Sequence, residues 1–295
     1  MGFRDFFSPR PRALDPAESW ELVFSEREGG SYFRGNYASY PYTPRRKQDI
    51  PCGAIESLQE VVGLESLHEL FIIPWAVRSI GLGNRKVTSP NSVLAIGARA
   101  VGLWTEKPQP GIKITIPLQE IAAIEDVTIL LYGRLSFVPF GQQLTIRYNM
   151  VGRDTLEPAL LKLRKRLAGP GRRMPKETAE GPELPFKWHN LLRSAQARLD
   201  ERAPAAFRFC NTVPKRSRHG QQRGELLVLN PYELVYLCEP LESFGQYGED
   251  SFIIPRSRMT AAQATQEGLA VTSNGAHLSV SMAHALSQTA VTWCM

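Results

Sequence analysis

The sequence predicts an α+β, mainly β fold: two antiparallel barrels, each with a capping helix, preceded by an extended N-terminal arm. The chain has 295 residues, more than a usual single domain, and its 43% hydrophobic content is enough to fill one or two ordinary cores. From residue 92 onward, short apolar runs alternate with turn residues, as is typical of antiparallel strands. The order of these runs occurs twice, which indicates a duplication.

Residues 1–65 are predicted to form an N-terminal arm with short helical turns near its end. The first 50 residues are rich in Arg, Pro, Gly and Tyr, and they show no sustained period of 2 or 3.6. The N-terminus has no apolar core before a cleavage site, and Phe6 stands where a myristoylation signal takes Ser or Thr. Neither secretion nor acylation is therefore expected.

Residues 66–168 are predicted to form the first β module. "SVLAIGARAVGLWTE" at 92–106 predicts two strands around a turn, and "IKITIP" predicts the next strand. Three further strands are predicted near "DVTILLYG", "LSFVPF" and "QQLTIRYN". Leucines then recur at helical spacing over 154–167, with Asp154 as the N-cap and basic residues late, where the helix dipole favours them. One amphipathic helix closes this module.

A linker is predicted at residues 169–185, and the second module at 186–295. The stretch "AGPGRRMPKETAEGPELP" combines Pro, Gly and charge without apolar periodicity. Beyond it, "AAFRFCNTV" predicts a strand and "GELLVLNPYELVYLCEP" predicts a hairpin with an Asn-Pro turn. The last residues, "HALSQTAVTWCM", have room for either a short helix or a terminal strand.

The two modules match in the order of their parts. "SVLAIGARAVGLWTE" lies over "ELLVLNPYELVYLCE" without a gap, and each hairpin leads to a strand that ends in Ile-Pro, at Pro117 and Pro255. This order resembles the bacterial PH-like domains, whose pattern is a strand-turn-strand, a strand ending in Ile-Pro, further strands and a closing helix. The resemblance implies tandem PH-like domains in a bacterial protein that acts through binding.

No catalytic, cofactor or metal site is predicted. The four cysteines, Cys52, Cys210, Cys238 and Cys294, have no CxxC spacing, so reduced structural thiols are expected. The five histidines show no ligand spacing, and the sequence has no GxSxG elbow, phosphate loop or dinucleotide fingerprint. An enzyme can assemble its site from distant residues, so an enzyme of unrecognised type is the third hypothesis.

A basic loop between two predicted strands is the candidate site for an anion or a lipid head group. Cations that converge there could clamp phosphate oxygens, as the PH resemblance implies. Its candidate residues are Lys215, Arg216, Arg218, His219 and Arg223. A second cationic run, Lys162–Lys176, is interpreted as a solvated helix face and tether.

The N-terminal arm interleaves aromatic and cationic residues and is the candidate partner-binding segment. Such a composition can stack nucleic-acid bases, but it also suits a segment that becomes ordered on a protein partner. Because no second nucleic-acid motif accompanies it, protein contact is preferred. The candidates are Tyr32, Phe33, Arg34, Tyr37, Tyr40 and Tyr42.

The sequence thus leads to three hypotheses. The first is a non-catalytic cytoplasmic adaptor or scaffold that binds a protein partner or larger assembly through its PH-like domains and its arm. The alternative is a peripheral binder of anionic lipid at the inner face of the membrane, which uses the 215–223 loop and to which each nearby cation contributes about 1 kcal/mol. The enzyme comes third.

Overall fold

The computed structural model describes residues 41–44, 49–59, 61, 70–74, 76–80, 85–89, 91–106, 112–129, 132–139, 143–175, 184, 188–189, 191–192, 205–212, 223–239 and 248–294. In these residues the chain is α+β and mainly β, as predicted. Within the arm, the expected helical turns include one short helix, α1 (Cys52–Leu58). An added hairpin, β2 (Ala76–Ile80) and β3 (Arg85–Ser89), forms a separate two-stranded sheet.

Apart from the added hairpin of β2 and β3, the described residues of the first copy of the repeat form seven strands and a helix. Its strands are β1 (Leu70–Ile73), β4 (Ser92–Ile96), β5 (Ala100–Thr105), β6 (Ile112–Pro117), β7 (Ile121–Ile129), β8 (Tyr132–Pro139) and β9 (Leu144–Asn149). A 3-10 turn, Leu118–Glu120, separates β6 from β7. The helix α2 (Arg153–Ala168) follows β9, where the leucine spacing predicts it.

The second copy has the same order of elements. Its strands are β10 (Ala206–Thr212), β11 (Arg223–Leu229), β12 (Glu233–Cys238), β13 (Gly248–Pro255), β14 (Met259–Thr265), β15 (Gly268–Ser273) and β16 (Ala276–Ser281). A 3-10 turn, Arg256–Arg258, separates β13 from β14. The chain then forms a short helix, α3 (His284–Cys294), which resolves the choice left open by the sequence.

The registers of the two hairpins agree with the gapless match of the sequences. In the first hairpin Ile96 pairs with Val101, and in the second Leu229 pairs with Leu234, next to turns of equal length. Both copies also carry a strand irregularity just after the 3-10 turn, between Ile121 and Ala123 and between Met259 and Ala261. A shared bulge at the same place in the order supports the duplication, because bulges are specific features of a strand pair.

Contacts divide the chain into two compact units. Unit 1 comprises the described parts of 1–116 and 146–159, and unit 2 those of 117–145 and 160–295. The limits predicted for the two domains stay a prediction. In unit 1 a core of apolar residues joins α1 to β1, β4 and β5, and includes Leu58, Ile72 and Trp104.

The prediction of closed barrels is wrong for the described strands. They form open sheets in the orders β1-β4-β5-β6, β14-β15-β16 and β10-β11-β12-β13-β7-β8-β9. The seven-stranded sheet arises because β7, a strand of the first copy, pairs antiparallel with β13 of the second, with Ile124 opposite Ile253. Because this edge of β7 pairs with a strand from the second copy of the repeat, it does not pair with a strand of its own copy to close a barrel.

The core of unit 2 lies between this large sheet, the β14-β15-β16 sheet and α3. Its fully buried side chains include Leu227, Leu229, Leu269 and Leu286, and Trp293 packs against the same cluster. Burying one such leucine contributes about 2 kcal/mol, so these side chains stabilise the packing of the sheets and α3 against one another. Polar side chains of β10, β11, β12 and β13 lie at one end of this core.

Candidate functional site

Four polar side chains cross the large sheet of unit 2 side by side. Cys210 on β10 is opposite Glu225 on β11, Glu225 is opposite Cys238 on β12, and Cys238 is opposite Asp250 on β13. Directly opposed residues on neighbouring strands point to the same face of a sheet. These four residues therefore form one line, here named the polar row.

Glu225 is the central acceptor of the polar row. The side chain is buried, and its two carboxylate oxygens accept hydrogen bonds from separate elements. The Thr212 hydroxyl donates to Oε1 over 2.6 Å, and the backbone N–H of Ala283 donates to Oε2 over 2.8 Å. Glu225 thus ties the strand β10 and the start of the α3 segment to the sheet.

Arg223 extends along the polar row from the base of the predicted anion-binding loop. Its Nη2 donates to the Tyr236 hydroxyl over 2.9 Å and contacts the Cys238 sulfur, and its Nε lies 3.9 Å from Glu225 Oε1. Burial acts to lower the pKa of Arg223, but the neighbouring Cys238, Tyr236 and Glu225 outweigh it and leave that pKa raised. The guanidinium is therefore a charged, internally bonded anchor.

Burial is the largest cause of the raised pKa values of Cys210, Cys238 and Asp250 in the polar row. It raises the pKa of Cys238 to about 12, with the charge of Asp250 adding to the effect, and the pKa of Cys210 to about 11, with Glu225 adding to it. Burial, followed by the charge of Glu125, raises the pKa of Asp250 to about 6. At neutral pH both thiols keep their protons, so they serve as weak hydrogen-bonding groups and not as thiolate nucleophiles.

The structure describes two of the residues predicted to bind partners or anions. Arg223 is bonded inside the polar row, whereas Lys215, Arg216, Arg218 and His219 lie outside the described residues. Tyr42 pairs with Ile72 in an isolated bridge and is buried in the core of unit 1. The other arm candidates, Tyr32, Phe33, Arg34, Tyr37 and Tyr40, lie outside the described residues, and the binding roles stay predictions.

Five basic residues described in the run Lys162–Lys176 are exposed, as interpreted, and only Arg164 among the described ones is buried. Arg164 in α2 is buried and forms a two-fold ion pair with Glu233, in which Nε lies 3.1 Å from Oε1 and Nη2 lies 2.5 Å from Oε2. The backbone N–H of Arg172 donates to the Pro231 carbonyl over 2.8 Å. The interpretation of a solvated helix face is therefore wrong for Arg164, because Glu233 next to the hairpin turn of the second copy supplies its buried counter-charge.

The same hairpin turn also forms hydrogen bonds with Asn230 and Arg256. Asn230 Oδ1 accepts hydrogen bonds of 2.8 Å from the backbone N–H groups of Tyr232 and Glu233. The buried Arg256 donates to the carbonyls of Asn230 and Arg173 over 3.0 and 3.1 Å, and burial lowers its pKa. The turn is thus a polar anchor at which α2, the following segment and the 3-10 turn of the second copy meet.

Sequence reasoning missed Glu225, Glu233 and Asp250, although one signal was available. Glu225 and Glu233 are single charges at the ends of the apolar runs "ELLVL" and "ELVYLC". A buried carboxylate requires a partner, so such a charge indicates a specific donor elsewhere in the chain. The identity of that donor depends on the fold.

These observations define the chain as a mainly β protein with a duplicated order of strands and a polar end to one core. Among the described residues there is no group of three or more His, Cys, Asp or Glu side chains placed to hold a metal, and no helix long and apolar enough to cross a membrane. The chain matches no protein-family model, no curated protein and no solved structure.

Proposed function

We propose that this protein is a non-catalytic adaptor or scaffold built from two PH-like modules, which binds a protein partner or a larger assembly through its N-terminal arm. The supporting observation is the repeated order of four strands, a 3-10 turn, three strands and a helix, into which the first copy inserts the hairpin of β2 and β3. The sequence resembles PH-like domains through the same order of elements, and such domains commonly act by binding. The proposal includes a cytoplasmic location.

The contacts within unit 2 suit a scaffold. The sheet of the second copy continues into β7 and β8, and the side chain of Arg258 donates to the carbonyls of Leu118 and Ile121, the latter over 2.6 Å. The Ser273 hydroxyl donates to the Ala122 carbonyl over 3.0 Å. These bonds link parts of the two copies into one framework, which can hold binding segments in a fixed arrangement.

A capture experiment tests the role of the arm. The full chain is immobilised and exposed to lysate of its native host, next to a variant with Tyr32→Ser, Tyr37→Ser and Tyr40→Ser. A matched variant, Arg216→Glu with Arg218→Glu, alters the basic loop and leaves the arm intact. We expect the wild type and the loop variant to capture the same protein in equal amounts. The arm variant should capture at least tenfold less of it. Equal retention by all three chains would contradict the proposal.

The same variants test the lipid alternative. The three chains are sedimented with vesicles of phosphatidylcholine alone and with vesicles that contain phosphatidylserine. An adaptor is expected to stay in the supernatant in both cases. The opposite result is that the wild type and the arm variant sediment with phosphatidylserine in a salt-sensitive way and the loop variant does not. That result would favour the lipid-binding hypothesis over the adaptor, since cations near an anionic surface supply this attraction.

A further inference from the structure

The strand β16 forms one edge of the three-stranded sheet in unit 2. It pairs with β15 through six residue pairs without a bulge, and β15 is the only described element that packs along it. The turn between the two strands consists of Asn274 and Gly275, whose φ angles are 50° and 81°. In a hairpin with a two-residue turn of this kind, the flanking residues, here Ser273 and Ala276, form a hydrogen-bonded pair.

This starting pair determines which backbone groups of β16 point away from β15. Beginning at Ala276, every second residue of β16 bonds to β15, and the residues between them direct their backbone N–H and C=O groups outward. The outward residues are His277, Ser279 and Ser281, and all three are exposed. Their outward backbone groups have no hydrogen-bond partner among the described residues.

The other edges of the two sheets around the core of unit 2 carry a charge or a cover. The large sheet ends in β10 and β9, which carry the exposed Arg208 and Arg147. The helix α3 packs along β14, and Arg172 donates a hydrogen bond of 3.2 Å to the Met259 carbonyl at the start of that strand. Such charges and covers prevent an edge from recruiting a further strand.

The edge of β16 lacks these protections and suits a second molecule of this protein. Its sequence "AHLSVS" contains no Asp, Glu, Lys, Arg or Pro, although the whole chain has a net charge of +6. A charge on a strand that pairs with its own counterpart would lie near the same charge across the two-fold axis, where like charges repel. An uncharged edge is therefore compatible with self-pairing.

We propose that two molecules of this protein associate by antiparallel pairing of their β16 strands about a two-fold axis at Ser279. This register pairs all three outward residues with one another, because Ser279 faces Ser279 and His277 faces Ser281 of the second molecule. On the core-facing side, Leu278 then faces Val280 of the second molecule, so apolar side chains meet. The contact joins two three-stranded sheets into one of six strands and closes as a dimer. This inference is independent of the adaptor function.

A single cysteine at the axis tests the register directly. In the full-length chain, Ser279→Cys places two thiols opposite each other in a hydrogen-bonded pair, with about 5.5 Å between the Cα atoms, which a disulfide can span. Ser281→Cys is the matched control, because it is exposed on the same face but lies opposite His277 of the second molecule. After oxidation we expect Ser279→Cys to give at least fivefold more disulfide-linked dimer than Ser281→Cys or the wild type. Equal yields would overturn the proposal.

A mixing experiment checks the same register at a second pair of positions. Chains with Ser281→Cys and chains with His277→Cys are prepared separately, mixed and oxidised, and the products are resolved on a non-reducing gel. We expect at least fivefold more dimer from the mixture than from either variant alone, because only the mixture brings two thiols opposite each other. A mixture that yields no more dimer than the separate variants would also overturn the proposal.

Light scattering tests the dimer in solution. Ser279→Lys places two lysines at the axis, whereas the control Thr292→Lys adds the same charge at an exposed position of α3. At about 100 μM, where dissociation constants up to that value are detected, we expect the wild type and the control to have the mass of two chains. The Ser279→Lys variant should have the mass of one. A single-chain mass for the wild type would contradict the proposal and leave the edge to a strand of another protein, and a two-chain mass for Ser279→Lys would assign the dimer to another surface.

Discussion

The second hairpin carries polar side chains where the first carries small ones. Asn230 and Glu233 stand at the positions of Gly97 and Ala100 in the gapless match. Both turns nevertheless close with the same backbone bond, from Gly97 N to Ala100 O over 2.9 Å and from Asn230 N to Glu233 O over 3.1 Å. The duplicated backbone has therefore been stabilised in two different ways.

In the first hairpin the stabilising feature is close packing of the backbone. A Cβ atom at Gly97 would lie 2.0 Å from the Val61 carbonyl oxygen, so only glycine allows this approach. In the second hairpin, side chains of α2 and of the 3-10 turn bind the turn through hydrogen bonds and an ion pair. The same turn can thus be fixed by removing a side chain or by adding a polar network.

Breaking the ion pair of the second hairpin should have the largest effect. Glu233→Gln leaves the buried Arg164 guanidinium without its counter-charge, and we expect the free energy of unfolding in urea to fall by about 3–5 kcal/mol. The control is Arg164→Met with Glu233→Leu, which removes both charges and should cost less than the single change. A single variant as stable as the wild type would show that the polar network does not hold this turn.

The first hairpin should respond most to added volume. We expect Gly97→Ala to lower the free energy of unfolding by about 3 kcal/mol, because the new methyl group must displace the Val61 backbone. Gly53→Ala is the control, since its Cβ would be 3.4 Å from the Trp104 ring, an ordinary contact. Urea denaturation of both variants checks the prediction, and equal stabilities would show that the close approach is unimportant.

The polar row offers a comparison by pH. Its Asp250 occupies the place held by Ile112 in the first copy, counted from the prolines. Because the folded-state pKa of Asp250 is raised from 3.8 to about 6, ionisation in the folded chain lowers stability as the pH rises from about 4 through 6. Asp250→Asn removes this cost and should stabilise the protein by about 3 kcal/mol at pH 8.

The gain from Asp250→Asn should shrink toward pH 4, where the aspartate is protonated in both states. Thermal melting of the two chains at matched pH values measures this difference. If Asp250→Asn raised the stability by the same amount from pH 4 to pH 8, ionisation of Asp250 would be excluded as the cause.

The smallest effect is expected for the amide of the second turn. Asn230→Gly removes the acceptor of two backbone N–H groups but leaves the backbone free to turn, so we expect a loss of about 1 kcal/mol in urea denaturation. Asn230→Asp keeps the acceptor oxygen and should retain more stability than the glycine variant. The reverse order would show that the backbone, and not the side-chain bonds, determines the turn in this copy too.

Much of the fold was accessible from local patterns. The alternation in 92–106 predicted β4 and β5, the leucine spacing predicted α2, and the paired Ile-Pro ends located β6 and β13. These predictions succeeded because side chains recur every two residues on a strand and every 3.6 on a helix. The buried pair Arg164–Glu233 was not accessible, because its members are 69 positions apart and no local pattern identifies Arg164 as the partner of Glu233.

The amino-acid sequence by itself determined the mainly β class, the positions of the hairpins and the duplicated order, since each depends on residues close along the chain. Only the tertiary structure decided that β7 joins β13, that Arg223 turns inward to the polar row and that the run after α2 is held at the second hairpin. The physical reason is that strand edges and buried charges find partners by their distance in space, which local periodicity does not encode.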